Sequence, residues 1–230
     1  MTKRVSHSLL DPYLGPSIKR LYPILRIPRW YPPEGIIAVG HLLAIAAAFG
    51  FACSTRTWWG GLLAAAGVAG NHVADCLDGT HARSTGQCRN GGELLDHFTD
   101  PLSFAYWLVG IAVSIDRLEM GLAAVICLYA TAVLTNIKAK MTGEFALGTF
   151  GSTEFKTLLV VYGLLLTAIV SGWIPDVHAE QIAVWFFVLL LIVGLVQLSV
   201  NLIRSVRDVN RHGAPPDTSD WEVTRKSGPD

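Results

Sequence analysis

The chain has 230 residues, of which 51% are hydrophobic, and its mean hydropathy is +0.42. This composition is more apolar than that of an ordinary soluble domain, and it predicts a membrane protein. Lys plus Arg and Asp plus Glu number 18 each, so the zero net charge gives no indication of a nucleic-acid partner. Four cysteines without paired spacing predict free thiols, not disulfides or a zinc site.

Residues 1–30 form a basic juxtamembrane segment that lacks the apolar core of a signal peptide. Within it, residues 8–25 mix leucine and isoleucine side chains with lysine and arginine. Two interpretations of this stretch remain open. It is either an amphipathic helix in the membrane interface, despite breaks at Pro12, Pro16 and Pro23, or a simple basic tether.

The next part of the chain contains six apolar segments, each long enough to cross about 30 Å of hydrocarbon as a helix. They cover residues 36–53, 58–78, 94–115, 120–141, 157–175 and 181–203. We therefore predict an all-α, polytopic membrane protein in which residues 31–206 form one domain of six transmembrane helices. Residues 207–230 are polar, with glycine and proline, and predict a disordered cytoplasmic tail.

The distribution of charge predicts how these helices are oriented. Short connections make neighbouring helices antiparallel, and of the 18 Lys and Arg residues only Arg56 and Arg117 fall on the side opposite the termini. Basic residues favour the cytoplasmic side of a membrane. We therefore expect both termini at the cytoplasmic face, in the inner membrane if the cell is prokaryotic.

Four aspartates beside these apolar segments give the strongest functional signal. Asp75 and Asp78 are three residues apart and Asp96 and Asp100 are four apart, so each pair shares one helix face. Charge is costly near hydrocarbon, and like charges held this close require cations between them. Hard divalent cations prefer oxygen ligands. The spacing therefore predicts a carboxylate-bound metal centre at the membrane surface that handles phosphate.

Residues around the first aspartate pair indicate how a phosphate compound would be held. Asn71 lies on the same helical stripe, and Arg83 is suited to pairing with a diphosphate. Gly79 permits close approach of a nucleotide to the backbone, whereas the alternative interpretation makes it a helix C-cap. For Arg83 the alternative is that it merely follows the positive-inside rule. Ala82 is small and predicts tight packing.

The pattern D-x2-D-G-x2-A-R-x8-G-x3-D-x3-D in residues 75–100 resembles the signature of the CDP-alcohol phosphotransferase family. The six-helix hydropathy pattern over about residues 30–205 extends the likeness. The resemblance implies an enzyme of phospholipid biosynthesis, in which an alcohol attacks the β-phosphorus of a CDP-linked donor and CMP leaves. It also implies two divalent cations, Mg2+ or Mn2+, and the family's homodimeric assembly.

The resemblance further implies roles for individual residues. Asp75, Asp78 and Asp96 are expected to be metal ligands, and Asp100 the general base, which also touches metal. Gly79, Ala82, Arg83 and Asn71 are expected to contact the CDP donor. His97 is a competing base, because imidazole titrates near neutral pH.

Basic residues at the predicted cytoplasmic ends suggest an acceptor site. Lys138, Lys156 and Arg204 would hold a phosphate on the acceptor, although positive-inside topology explains each of them without function. Near Lys156, Ser152 or Thr153 is expected to cap the fifth long helix.

Two substrate arrangements and one different class of function remain open. The donor is either CDP-diacylglycerol, with a small polar alcohol or alcohol phosphate as acceptor, or a CDP-amino-alcohol, with diacylglycerol as acceptor. The compact length favours the first, while the segment from Gly92 to His97 looks like the choline/ethanolamine phosphotransferase branch. A divalent-cation transporter is the distant alternative; transport sites lie near the bilayer midplane, whereas these aspartates lie at predicted helix ends.

Overall fold

The computed structural model describes residues 3–6, 8–147, 151–215 and 218. Two short helices precede six long ones, and two four-residue strands pair in parallel. The elements are β1 (Lys3–Ser6), α1 (Asp11–Lys19), α2 (Tyr22–Leu25), α3 (Pro33–Cys53), α4 (Trp58–Thr85), α5 (Asn90–Ser114), α6 (Leu118–Thr142), β2 (Glu144–Leu147), α7 (Ser152–Val170) and α8 (Ala179–His212). Apart from the short strand pair, the prediction of a helical protein is confirmed for the described residues.

Each predicted apolar segment falls on one of the long helices, and four of these are long and apolar enough to span a membrane. Those four, among the described residues, are α3, α6, α7 and α8. Helices α4 and α5 carry the four aspartates of the motif, and these charges lower the mean hydropathy of both helices. The protein is thus an integral membrane protein by the character of its helices.

The predicted boundaries were wrong at two helices. α7 ends at Val170, before the predicted end at residue 175, because the chain reverses at Gly172, whose φ of 77° is left-handed. α8 continues to His212, into residues predicted as tail, and Lys138 on α6 donates to Asp208 there at 2.7 Å. The helix therefore extends beyond its apolar part, while most of the predicted tail lies outside the described residues.

The juxtamembrane segment is helical in α1 and α2, interrupted at residues 20–21. Tyr13 and Ile24 are each more than 70% exposed, so apolar side chains of both short helices face away from the protein. Exposed apolar side chains on a basic helical segment favour the interfacial interpretation over a simple tether.

Helix α4 is packed closely between α3 and α7 because glycines, which have no side chain, lie at both crossings. A Cβ atom on Gly50 of α3 would lie 2.5 Å from the amide nitrogen of Ala64. A Cβ atom on Gly61 of α4 would lie 2.3 Å from the carbonyl oxygen of Gly163 on α7. Larger residues do not fit at either position, so α4 approaches both of its neighbours closely.

The core adds aromatic contacts to these glycine crossings. Phe51 of α3 stacks on Tyr162 of α7, with ring centroids 6.0 Å apart. The indole N–H of Trp107 on α5 donates to the Ala44 carbonyl of α3 at 3.0 Å, so the fully buried Trp107 leaves no unpaired donor. These contacts fix α3, α4, α5 and α7 relative to one another in the apolar part of the helices. The four cysteines are free thiols, as predicted.

Candidate functional site

The four aspartates meet at one small cavity between α3, α4 and α5. Asp75 and Asp78 of α4 and Asp96 and Asp100 of α5 all line it, together with Asn71. The cavity volume is about 10 Å³, which is close to the space of one water molecule. The structure therefore brings together five of the residues that the sequence singled out.

Asn71 has one of its two side-chain polar atoms hydrogen-bonded. Its side-chain nitrogen donates to the Gly40 carbonyl of α3 at 3.1 Å. Its side-chain oxygen is buried and has no hydrogen-bond partner among the described residues. A buried acceptor without a donor is costly, so a bound group with a donor or a positive charge would satisfy it.

Lys156 of α7 enters the aspartate cluster from a third helix. Its ammonium donates to Asp75 Oδ2 at 2.7 Å and to Asp100 Oδ1 at 3.1 Å. The side chain is only 1% exposed. The sequence predicted Lys156 at a cytoplasmic helix end, as a ligand of the acceptor. Only the tertiary structure reveals its pairing with the aspartates.

The chemistry of the cavity fits divalent cations. It offers carboxylate oxygens and one amide oxygen, which are the donors that Mg2+ and Mn2+ prefer; His41 and Thr99 also line it. Within the described part of the chain, no three His, Cys, Asp or Glu side chains stand in a metal-holding arrangement. Lys156 engages two of the four aspartates, so these carboxylates would have to turn toward an ion to hold it.

His97 lies on α5 between Asp96 and Asp100 in sequence but has different surroundings. Its side chain is 46% exposed, and Nε2 lies 3.9 Å from Glu93 Oε1. It is not among the residues that line the cavity, whereas Asp100 is. Helix α5 itself continues through Pro101.

The residues predicted to contact the donor lie in the last turns of α4. This helix continues past Gly79 to Thr85 and is capped by Gly86, whose φ of 74° is left-handed. The alternative interpretation of Gly79 as a C-cap is therefore wrong. A Cβ atom on Gly79 would lie 3.2 Å from Nη1 of the exposed Arg83, so the glycine leaves open a space beside that guanidinium. Ala82 is half-buried one turn further on.

The three cations predicted to bind the acceptor have separate surroundings. Lys156 is buried in the aspartate cluster, and Lys138 is paired with Asp208 of α8. Arg204 is exposed on α8, one helical turn before Asp208.

The start of α7 is held by the N-terminal segment, a contact that the sequence did not reveal. Glu154 accepts hydrogen bonds from the Ser8 hydroxyl at 2.6 Å and from the Leu9 amide at 2.7 Å. It also accepts from the amide of Gly151, which is the N-cap residue, so the prediction of a Ser152 or Thr153 cap was wrong. A buried carboxylate is a better acceptor for several amides at once than a hydroxyl. Lys156 follows Glu154 by two residues, so this contact fixes the part of α7 that enters the cluster.

A second contact missed from the sequence joins the juxtamembrane segment to the motif. His81 is fully buried, and its ring nitrogens lie 2.8 Å from the Tyr22 hydroxyl and 2.9 Å from the Tyr31 carbonyl oxygen. These bonds attach α2 and the connection before α3 to the motif-bearing turns of α4.

Comparisons with known proteins agree with this arrangement. The family model of the CDP-alcohol phosphatidyltransferases matches residues 33–196. Cholinephosphotransferase 1 of Gallus gallus is 33% identical over 114 residues, which are 47% of this chain and 33% of that protein. The Mus musculus protein of the same name is 33% identical over 95 residues, 39% of this chain and 24% of that protein. The chain thus spans a third or less of these two relatives.

A bacterial relative is covered over more of its length. Phosphatidylinositol phosphate synthase of Mycolicibacterium smegmatis is 27% identical over 179 residues, which are 75% of this chain and 78% of that protein. Since the family model covers most of the chain, including α4, α5 and the whole aspartate motif, the chain belongs to the CDP-alcohol phosphatidyltransferase family.

Proposed function

We propose that the protein transfers a substituted phosphate from a CDP-linked donor to an alcohol, with release of CMP, at the aspartate-lined cavity. The observation that carries this proposal is the convergence of four aspartates from two helices on a single cavity of the size of one water molecule. Such a cluster has no packing role, since four carboxylates repel one another unless cations bind between them. Membership of the family supports the same reaction.

Two divalent cations, Mg2+ or Mn2+, fit this proposal. Asp75, Asp78 and Asp96 would be their ligands, and Asp100 would also contact the metal. When bound, such ions neutralise the diphosphate of the donor and stabilise the departing CMP. The residues of the chain then orient the donor beside α4 and the hydroxyl of the acceptor beside α5.

Asp100 is the residue we assign as the general base. In the reaction, the acceptor oxygen bonds to the β-phosphorus, the bond from that phosphorus to CMP breaks, and the hydroxyl proton passes to Asp100. Asp100 lines the cavity, whereas His97 is half-exposed next to Glu93. A base must lie within hydrogen-bond reach of the proton it takes, so the cavity position favours Asp100.

The donor is expected to lie along the last turns of α4. Gly79 leaves space beside the Arg83 guanidinium, which suits a bidentate contact with the diphosphate. Ala82 continues the small-residue surface, and Asn71 offers its unpaired oxygen inside the cavity. For the acceptor, Arg204 is exposed, whereas Lys138 and Lys156 would first have to leave their aspartate partners.

CDP-diacylglycerol, with a polar alcohol or alcohol phosphate as acceptor, is the substrate pair that we favour. The similarity to phosphatidylinositol phosphate synthase extends over most of both chains, which supports this pair. A second candidate is a CDP-choline or CDP-ethanolamine donor with diacylglycerol as acceptor. The 33% identity to the cholinephosphotransferases and the Glu93–His97 segment favour it. No observation favours the cation transporter.

The discriminating experiment is a CMP-release assay on the purified protein in detergent with added phospholipid. CDP-diacylglycerol is tested with a panel of polar alcohols and alcohol phosphates, and CDP-choline and CDP-ethanolamine are each tested with diacylglycerol. We expect CMP release with CDP-diacylglycerol and one class of polar acceptor, and a rate about 10²- to 10⁴-fold lower from Asp100→Asn. CMP release only with diacylglycerol as acceptor would establish the second candidate. No acceptor-dependent CMP release from any donor would overturn the proposed reaction.

For the membrane arrangement, we propose that all six long helices span the bilayer, with both termini and the aspartate cavity at the cytoplasmic face. The bias of Lys and Arg toward this side supports that orientation. A homodimer remains a prediction from the family resemblance.

A further inference from the structure

Lys156 occupies a position among carboxylates that is central to the candidate site. Nζ lies 2.7 Å from Asp75 Oδ2 and 3.1 Å from Asp100 Oδ1, and the side chain is 1% exposed. The centroid of the Phe104 ring is 5.6 Å from Nζ and covers another side of the ammonium. A buried ammonium is stable only when it is paired. The two aspartates therefore stabilise the lysine in its buried position, and the lysine neutralises the two aspartates.

The three residues of this contact come from three helices. Asp75 lies on α4, Asp100 on α5 and Lys156 on α7. Without a positive charge between them, the carboxylates would push α4 and α5 apart at the cavity. The lysine therefore supplies the charge that allows the cluster to form before any other cation arrives.

The same carboxylates are the ones that divalent cations would use under the proposed function. Asp75 and Asp100 line the cavity together with Asp78 and Asp96. An ammonium and a divalent cation repel one another strongly at short range in a site with little water. A carboxylate that turns toward a divalent cation also gives up its hydrogen bond to the lysine.

We infer that Lys156 is a resident cation that neutralises Asp75 and Asp100 in the metal-free protein and is displaced from them when divalent cations bind. The inference rests on the proposed function and assigns Lys156 a positioning role. Once displaced, the ammonium remains tethered to α7 beside the cavity, where it is available to an anionic group of a substrate. Binding of divalent cations thereby controls when this lysine is free.

Metal affinity and thermal stability test this competition without reference to activity. The full-length protein in detergent is stripped with EDTA, exchanged into buffer without chelator, and titrated with Mn2+ by calorimetry. Lys156→Met keeps much of the side-chain volume and removes the charge. We expect this variant to bind Mn2+ about tenfold or more tightly than the wild type, because no ammonium opposes the ion. The metal-free variant should melt at a lower temperature, and saturating Mn2+ should remove most of that difference.

Lys138→Met is the matched control for metal affinity. It removes another lysine whose ammonium lies 2.7 Å from an aspartate, in this case Asp208 on α8. Because Asp208 is not in the aspartate cluster, we expect the affinity of this control for Mn2+ to equal that of the wild type. Equal or weaker Mn2+ binding by Lys156→Met would overturn the inference, as would an unchanged melting temperature of its metal-free form.

Two further outcomes are also decisive. If Lys156→Met does not fold without metal, Mn2+ added from cell lysis onward should restore folding, since it supplies the missing positive charge; persistent misfolding in Mn2+ would contradict the inference. If the wild type binds no Mn2+ and releases no CMP, the proposed function itself fails. Normal Mn2+ binding by the wild type, unchanged in the variant, would remove only the role of Lys156.

Discussion

At the scale of single residues, surroundings separate two candidate bases that are close in sequence. Asp100 lines the cavity and shares Lys156 with Asp75, whereas His97 is 46% exposed and lies near Glu93. Imidazole has the more suitable intrinsic pKa, but proton transfer first requires contact with the reacting hydroxyl. The position of Asp100 therefore favours it as the proposed general base.

Asp100→Asn and His97→Gln separate these two residues. Asparagine keeps the shape of aspartate but cannot take a proton, so we expect the CMP-release rate to fall about 10²- to 10⁴-fold. His97→Gln, the comparison variant, should lose little activity and keep the pH–rate profile of the wild type. Both profiles are measured at saturating metal, so that weakened metal binding is not mistaken for a lost base. A flattened pH–rate profile in His97→Gln, with Asp100→Asn close to wild type, would assign the role of general base to His97 instead of Asp100.

Gly79→Val tests the proposed donor-binding surface of α4. A Cβ atom at this position would lie 3.2 Å from Arg83 Nη1, so the branched side chain would displace the guanidinium and fill the space beside it. We expect KM for the CDP donor to rise about tenfold or more, as when one charge-assisted contact is lost, with the melting temperature nearly unchanged. Gly91→Val is the control, because a Cβ atom there meets nothing within 4 Å. An unchanged KM in well-folded Gly79→Val would leave this glycine without a role in binding.

At the scale of helices, α4 acts as the central element of the site. It carries Asp75 and Asp78, contacts α3 through glycine crossings, and contacts α7 at Gly61 and Gly163. The last of these crossings sets the distance between α4 and α7, and hence whether Lys156 reaches the aspartates. Packing in the apolar part of the helices thus determines geometry at the charged end.

Gly61→Ala tests this crossing. The added methyl group would lie 2.3 Å from the Gly163 carbonyl oxygen, so the helices must separate. We expect a loss of about 1–3 kcal/mol in the free energy of unfolding, measured by denaturant titration in detergent. Gly15→Ala is the control, because it makes the same change within helix α1 where nothing lies within 4 Å. Equal stability of the two variants would show that the α4–α7 crossing tolerates a side chain.

At the scale of the whole molecule, the proposed function predicts a defined orientation in the membrane and a dependence on metal. Four helices are apolar enough to span a bilayer on their own, while α4 and α5 carry the aspartates that would bind metal. Charged helices of this kind are stable in a membrane when they pack among apolar neighbours and keep their charges near the surface. Orientation and metal dependence are therefore the two global properties to measure.

Chelation tests the dependence on metal. Excess EDTA should abolish CMP release, and Mg2+ or Mn2+ should restore it, because a site of oxygen donors prefers these hard cations. Zn2+ should restore activity poorly, since the cavity offers no thiolate ligand and its donors are mainly carboxylates. Full turnover in excess EDTA would show that the reaction does not require a metal ion.

Cysteine labelling tests the orientation. Cys88 is exposed between α4 and α5, and in a variant with the other three cysteines replaced by serine it serves as a reporter. We expect a membrane-impermeant maleimide to label it in inside-out vesicles but not in intact cells. Asp116→Cys in the same background is the matched control, because Asp116 is exposed at the other end of α5. The reverse pattern in both variants would place the active site on the other side of the membrane.

The sequence alone determined the features that depend on neighbours along the chain. Hydropathy predicted the six long helices, since an apolar segment of this length can satisfy its backbone in a membrane only as a helix. The spacings of Asp75 with Asp78 and of Asp96 with Asp100 determined that each pair shares a face, and the motif they form predicted the family, which is confirmed. Boundaries were less certain, because α8 continues through charged residues that hydropathy does not detect.

Only the tertiary structure decided which distant residues share the cavity. Lys156 is 81 residues from Asp75, and Glu154 is 146 residues from Ser8, yet both pairs are in direct contact. No periodicity links residues so far apart; Lys156 reaches Asp75 because glycines allow α7 to approach α4 closely. A lysine near a helix end follows the positive-inside rule wherever it points, so its burial among carboxylates depends on packing and not on local sequence.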